Sequence, residues 1–292
     1  GKLAGVMTMV ARRGKIVHLD AEGVYGVDND KKLDEDTLFR IYSMTKPITA
    51  VALMSLYEEG AFLLSDPVSK FLPQFAEMTV WDGEKAVPAK KQITMHQLLT
   101  HTAGLTYGFH KNNPVDDAYQ KVNLLDAKDL NDFVDKLSEI PLLFEPGERW
   151  HYSVANDVLG AVAEKISGQP YDEFLQERIF DPLGMEDTFF NVPEDKLSRF
   201  ASNHYWNPKG KKLGAMGNEA ALNKFTGRAL FSGGGGLVST IGDYMKFADM
   251  LRRGGMAGKT RILSPKTVEY MIQDHLPATV RATGSGESPT AN

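Results

Sequence analysis

The sequence predicts an α+β fold: an antiparallel sheet flanked by helices, with an inserted, mostly helical region. Three observations carry this reading. Two strand-like runs open the chain, "AGVMTMVA" (4–11) and "KIVHLDAEGVYGV" (15–27), with the hairpin signal "RRGK" between them. A segment with helical apolar period, 43–59, follows soon after. Helical patterns then dominate, so strands lead and helices follow, an order that suits α+β better than alternating α/β.

Each element has its own signal. In 43–59 Ser43 stands where an N-cap would. Pro47 lies in the first turn, where a missing N–H costs little, and Gly60 is a stop. "ITMHQLLTH" (93–101) reads as a short helix with Thr94 as N-cap. Residues 103–150 are rich in turn formers and hold one polar helix near 126–138, a lid-like insertion whose acidic stretch 126–139 is a solvated face. "SVANDVLGAVAEKIS" (153–167) is a helix stopped by Gly168, and another covers roughly 170–180. A loop-rich stretch, 187–230, leads to "SGGGG" (232–236). A helix over 240–253 follows, capped by Ser239 or Thr240, and Ser264-Pro265 opens a last helix.

The elements group into a sheet-containing region, 1–60 with 231–292, and a mostly helical region, 61–230, with the site expected between them. The chain closes on "RATGSGESPTAN", polar and turn-rich. A two-strand hairpin is a poor sheet by itself. The expectation is therefore a fold truncated at the C-terminus, with one apolar face of helix 43–59 uncovered.

Bulk composition narrows the function. The 292 residues are 42% hydrophobic and 24% charged, an ordinary globular balance. A net charge of −5 argues against a broad nucleic-acid surface. No apolar run is long enough for a membrane helix, and no signal-peptide pattern precedes the first strand, which favours a cytoplasmic location. The absence of cysteine excludes disulfides, thiolate catalysis and cysteine-based zinc sites. The seven histidines contain no H-x-x-x-H or H-x-H pair. Neither metal nor cofactor is expected, and the expected partner is a small molecule.

The chemistry gathers in "FRIYSMTKPITAVALMSLYEEG" (39–60). Ser43 and Lys46, three apart, are neighbours on one helical face. The pair reads in two ways. It is an N-capping serine beside a solvated lysine, or a serine nucleophile whose proton an adjacent amine can take. About one S-x-x-K arises by chance in a chain this long, so spacing alone does not choose. A second constellation is Tyr152, placed after a Pro-Gly turn and just before the 153–167 helix. It reads as a packed tyrosine, or as a base for Ser43 if an ammonium such as Lys46 lowers its proton affinity.

"SMTK" (43–46), "LLTHTAGL" (98–105), "FEPGERWHYS" (144–153), "DVLGAVAEKISG" (157–168), "IFDPLGMEDTFF" (179–190) and "GGGGLVSTIGDYMKFADML" (233–251) occur in this order. Together they resemble the serine β-lactamase-like superfamily of class C β-lactamases, DD-peptidases and family VIII carboxylesterases, over nearly the whole chain. The resemblance implies a serine hydrolase working through an acyl-enzyme. Ser43 would attack the carbonyl and Lys46 and Tyr152 would share acid–base work. The Ser43 N–H would form half of an oxyanion hole.

Two departures matter. The lactamases and peptidases carry Tyr-x-Asn, and here the third position is Val154, with Asn156 two places late. That points to the carboxylesterase branch, ahead of β-lactam or D-amino-acid peptide hydrolysis and of a non-catalytic binding relative. The third motif, Lys-Thr-Gly or a Trp-Gly-Gly equivalent, is not found; "ATG" (282–284) lacks the lysine and reads as a decoy. Other residues have two readings each. His101 is a structural loop residue or a triad base, the former preferred. Tyr107, Phe109, Trp150 and Phe231 are core or the lining of an acyl pocket. The run containing Gly234 is an anion nest or, preferably, a close backbone approach beside the substrate.

Overall fold

The computed structural model describes residues 2–110, 113–217 and 225–282. By contact the chain divides into two compact units, one of residues 1–42, 177–228 and 236–262, the other of residues 43–176, 229–235 and 263–292.

The first unit holds the sheet. Strands β1 (Gly5–Arg12), β2 (Lys15–Gly26) and β3 (Asn29–Lys32) pair antiparallel in that order. Arg13 and Gly14 join β1 to β2 with φ of 54° and 77°, the left-handed pair that a two-residue turn of the I′ type demands. β1 alternates half-buried and exposed residues, the mark of a sheet with one covered face. A fourth strand, β4 (Phe39–Arg40), pairs instead with Val238–Ser239. Around it Leu38, Val192, Phe225 and Val238 form a core joined by Phe189 and Phe200. The stretch 187–230, expected as loop, contains a hairpin of His204–Asn207 with Lys212–Ala215. Its strands are short and lack an apolar alternation, so period-two reading had nothing to find. Helix Ile241–Arg252 follows, and Thr240, rather than Ser239, caps it by accepting from Asp243 N at 3.2 Å.

The second unit is mostly helical. Its centre is α1 (Thr45–Glu58), ten of whose fourteen residues are buried. The expected amphipathic helix with an uncovered apolar face is thus corrected. Among the described residues no large apolar side chain of α1 is exposed, and the nearest, Met44, precedes it. A helix apolar nearly all round belongs inside a core. By its packing α1 sits in this unit, whereas the sequence grouping put 43–60 with the hairpin. α2 (Met95–Leu99) opens on a complete capping box, Thr94 accepting from Gln97 N and Gln97 reaching back to Thr94 N. α3 (Pro114–Val122), not expected, is capped by Asn113 with Pro114 at the first position. α4 (Leu130–Ser138) buries Leu130, Phe133, Val134 and Leu137 and turns its acids outward. α5 (Ala155–Ser167) packs on α1, and Gly168 ends it with φ of 71°. Ser264 caps the helix Pro265–Met271 as expected. Among the described residues no helix is long and apolar enough to cross a membrane. The "ATG" run lies outside the described residues except for Ala282.

Candidate active site

The chain enters α1 through a tight 3-10 turn, Tyr42–Met44, in which Tyr42 takes a φ of 41°. Such left-handed backbone is costly for an aromatic residue and collects at functional positions. The turn pushes Ser43 one residue ahead of the helix cap. Met44 holds the N-cap position with helical backbone angles and no side-chain cap. The expectation that Ser43 caps the helix is therefore corrected: its hydroxyl is engaged elsewhere. Lys46 Nζ donates to Ser43 Oγ at 3.1 Å, and Tyr152 OH donates to the same oxygen at 2.6 Å. Ser43 is exposed, Lys46 is 9% exposed, and the lysine amine lies 4.5 Å from the centre of the Tyr152 ring. All three side chains belong to the second unit.

Tyr152 is held by its neighbours' backbone. His151 N donates to His101 O at 2.9 Å, and Val154 N donates to Thr106 O at 3.3 Å. His101 Nδ1 lies 3.2 Å from Ser153 Oγ. The two loops thus clamp the tyrosine from both sides, and the His101 ring stands 5.1 Å from that of Tyr152. His101 contributes as a support, with φ of 55° at the end of α2. Burial, then the Lys46 ammonium, then His151 push its pKa down from 6.5 to about 4. It therefore stays neutral in the fold where an unfolded histidine would charge.

The consequence for stability has a definite sign. Between the two pKa values the unfolded chain binds the proton and the folded one does not, so the His101 contribution to stability is lost as pH falls from 6.5 toward 4. His101→Gln should show a shallower fall of melting temperature with acid than the wild type over that range. Parallel melting curves for the two proteins would remove His101 from the account.

The glycine run lies against the same lysine. Lys46 Nζ donates to Gly234 O at 2.7 Å, and Thr49 Oγ1 donates to Gly233 O at 2.8 Å. A Cβ on Gly233 would strike the Asn156 carbonyl, and one on Gly234 would come within 2.7 Å of the Tyr107 hydroxyl. Neither glycine has a positive φ, so space, not conformation, requires them here. Sequence reasoning missed Asp157, which is fully buried under this run and accepts from Ser232 Oγ and from Gly234 N at 3.2 Å. The available signal was a lone acid in the mostly apolar helical stretch "ANDVLGAVA", since carboxylates are almost never fully buried without partners.

The proposed lining residues divide. Tyr107 and Phe109 stack with centroids 5.1 Å apart and planes 6° apart, and Tyr107 is 5.3 Å from the Tyr152 ring. Trp150 lies 6.5 Å from Tyr152. Phe109 is 57% exposed, Phe231 is half-buried beside Ser232, and Gly234 is buried. Burial, with Asp157 and Tyr152 nearby, raises the Tyr107 pKa well above the usual phenol range, so Tyr107 remains a neutral hydrogen-bonding group. Val154 is 2% exposed, and Asn156 Nδ2 reaches Lys46 O at 3.4 Å.

The family model Beta-lactamase matches residues 1–289. Esterase EstB of Burkholderia gladioli is 34% identical over 269 residues, which cover 86% of this chain and 66% of that protein. Lovastatin esterase of Penicillium rubens is 32% identical over 292 residues, covering 94% of this chain and 70% of its own. Among solved structures, EstCE1, "a hydrolase with promiscuous acyltransferase activity", aligns with a TM-score of 0.80 at 27% identity, over 97% of this chain and 75% of that one.

Proposed function

This chain belongs to the Beta-lactamase family, and we propose that within it the protein is a serine carboxylesterase with Ser43 as nucleophile and Lys46 and Tyr152 as its acid–base pair. The observation that carries the reading is one serine oxygen held by an amine at 3.1 Å and a phenol at 2.6 Å. A hydroxyl is a weak nucleophile unless a base receives its proton. Here two groups can pass one proton among three heteroatoms. With one member of the pair deprotonated in the reacting state, Tyr152 as phenolate or Lys46 as free amine, Ser43 Oγ attacks the ester carbonyl carbon as its proton moves to that group. The tetrahedral oxyanion collapses, the C–O bond to the alcohol breaks, and the pair returns the proton to the leaving oxygen. Water then repeats the sequence on the acyl-Ser43 ester and releases the acid. EstB, lovastatin esterase and EstCE1 support an ester as the substrate. The stacked Tyr107 and Phe109, beside the Tyr152 ring, are the proposed acyl-side contacts.

Esters should outrank β-lactams. A lactam amide needs a polar partner on the enzyme. Val154 is apolar and turned into the core, while Asn156 is spent on the α1 backbone. An amide group left unpaired on burial costs about 1–3 kcal/mol, roughly 5- to 150-fold in rate. The kcat/KM for nitrophenyl butyrate is thus expected to exceed that for a chromogenic cephalosporin. A higher value for the cephalosporin would move the protein to the lactamase side of its family.

A further inference from the structure

Lys46 is itself held, and the residues that hold it lead to a buried charge. Its amine donates to Gly234 O at 2.7 Å as well as to Ser43. The other end of that same peptide, Gly235 N, donates to Ser232 Oγ at 3.1 Å. The Ser232 hydroxyl donates in turn to Asp157 Oδ1, which also accepts from Gly234 N at 3.2 Å. Hydrogen bonds therefore run unbroken from the Asp157 carboxylate, through Ser232 and the Gly234–Gly235 peptide, to Lys46 and Ser43. Each donation along such a chain strengthens the next acceptor.

We infer that Asp157 is a positioning residue for acylation, resting on the reading of Ser43 and Lys46 given above. It fixes the Gly234–Gly235 peptide, and the carbonyl of that peptide sets the direction in which Lys46 meets Ser43. Asp157 lies in the first turn of α5, where the helix dipole also favours a carboxylate. A helix-stabilising acid, however, needs no link to Lys46. The run has a second strap independent of Asp157: Thr49 Oγ1 donates to Gly233 O, and Tyr171 OH donates to Thr49 Oγ1 at 2.7 Å. The turn thus keeps one anchor when Asp157 is neutralised, and what is lost is the aim of Lys46.

The test is a double-mutant cycle on the full chain, read as the rate at which a fluorophosphonate labels Ser43. Asp157→Asn should slow labelling by about 10- to 100-fold, the usual cost of a small misplacement near the reacting atoms. In a Lys46→Ala background the same change should alter the rate by less than about twofold, because its route to Ser43 is already cut. An equal factor in both backgrounds would show that Asp157 serves only the fold, and the inference would fall. Ser232→Ala, with Ser232→Thr as the variant that restores the hydroxyl and the rate, carries the same cycle if circular dichroism shows Asp157→Asn to be unfolded. Label on Ser43 with multiplying factors would overturn the inference and leave the site reading intact. Label on another serine would overturn both.

Discussion

Ser43→Ala should abolish ester turnover to within a small residue, a loss on the order of 10⁴–10⁶ in kcat, the scale seen when a nucleophile that acts as a unit with its base is removed. The amine and phenol converge on Ser43 Oγ itself, and the 3-10 turn fixes that oxygen at the mouth of α1. Mass spectrometry after fluorophosphonate treatment should find the adduct on Ser43 and none in the alanine variant. A fully active Ser43→Ala protein would end the acyl-enzyme reading.

Lys46→Ala and Tyr152→Phe are expected to cost about 10²–10⁴ each, the range for a positioned acid–base group. Their combination should cost far less than the product. Both donate to one oxygen, and the amine lies against the phenol ring at 4.5 Å, so each loses its task when the other is gone. Steady-state kcat/KM on a nitrophenyl ester for the two single variants and the double variant decides this. Clean multiplication of the two losses would mean two independent groups rather than a pair. The phenylalanine variant also keeps the ring between His101 and Tyr107, so its effect isolates the hydroxyl from the packing.

Several elements were legible because their causes are local. The Arg13-Gly14 turn, the Thr94 cap, the Gly168 stop and the Ser264-Pro265 start each follow from backbone angles and hydrogen bonds within a few residues. The Ser43–Lys46 neighbourhood is likewise a matter of one helical turn. The elements that were missed lack such signals. The His204–Asn207 hairpin has no apolar alternation. The burial of α1 depends on what packs around it rather than on its own period.

By itself, then, the sequence determined the α+β class, the Thr94 and Ser264 caps, the Gly168 stop, the absence of cysteine chemistry, and, through its ordered motifs, the expectation that Ser43, Lys46 and Tyr152 act as a set. Only the tertiary structure decided how they meet. Tyr152 reaches Ser43 across 109 residues and Lys46 reaches Gly234 across 188. The tertiary structure also moved Ser43 off the helix cap, turned Val154 inward, and set Asp157 beneath the glycine run. The physical reason is the range of the forces that choose each feature. Caps and turns are settled by φ, ψ and i to i+3 hydrogen bonds, which a short stretch of sequence contains. A buried carboxylate or a shared serine oxygen is settled by which distant polar groups must satisfy one another once water is excluded.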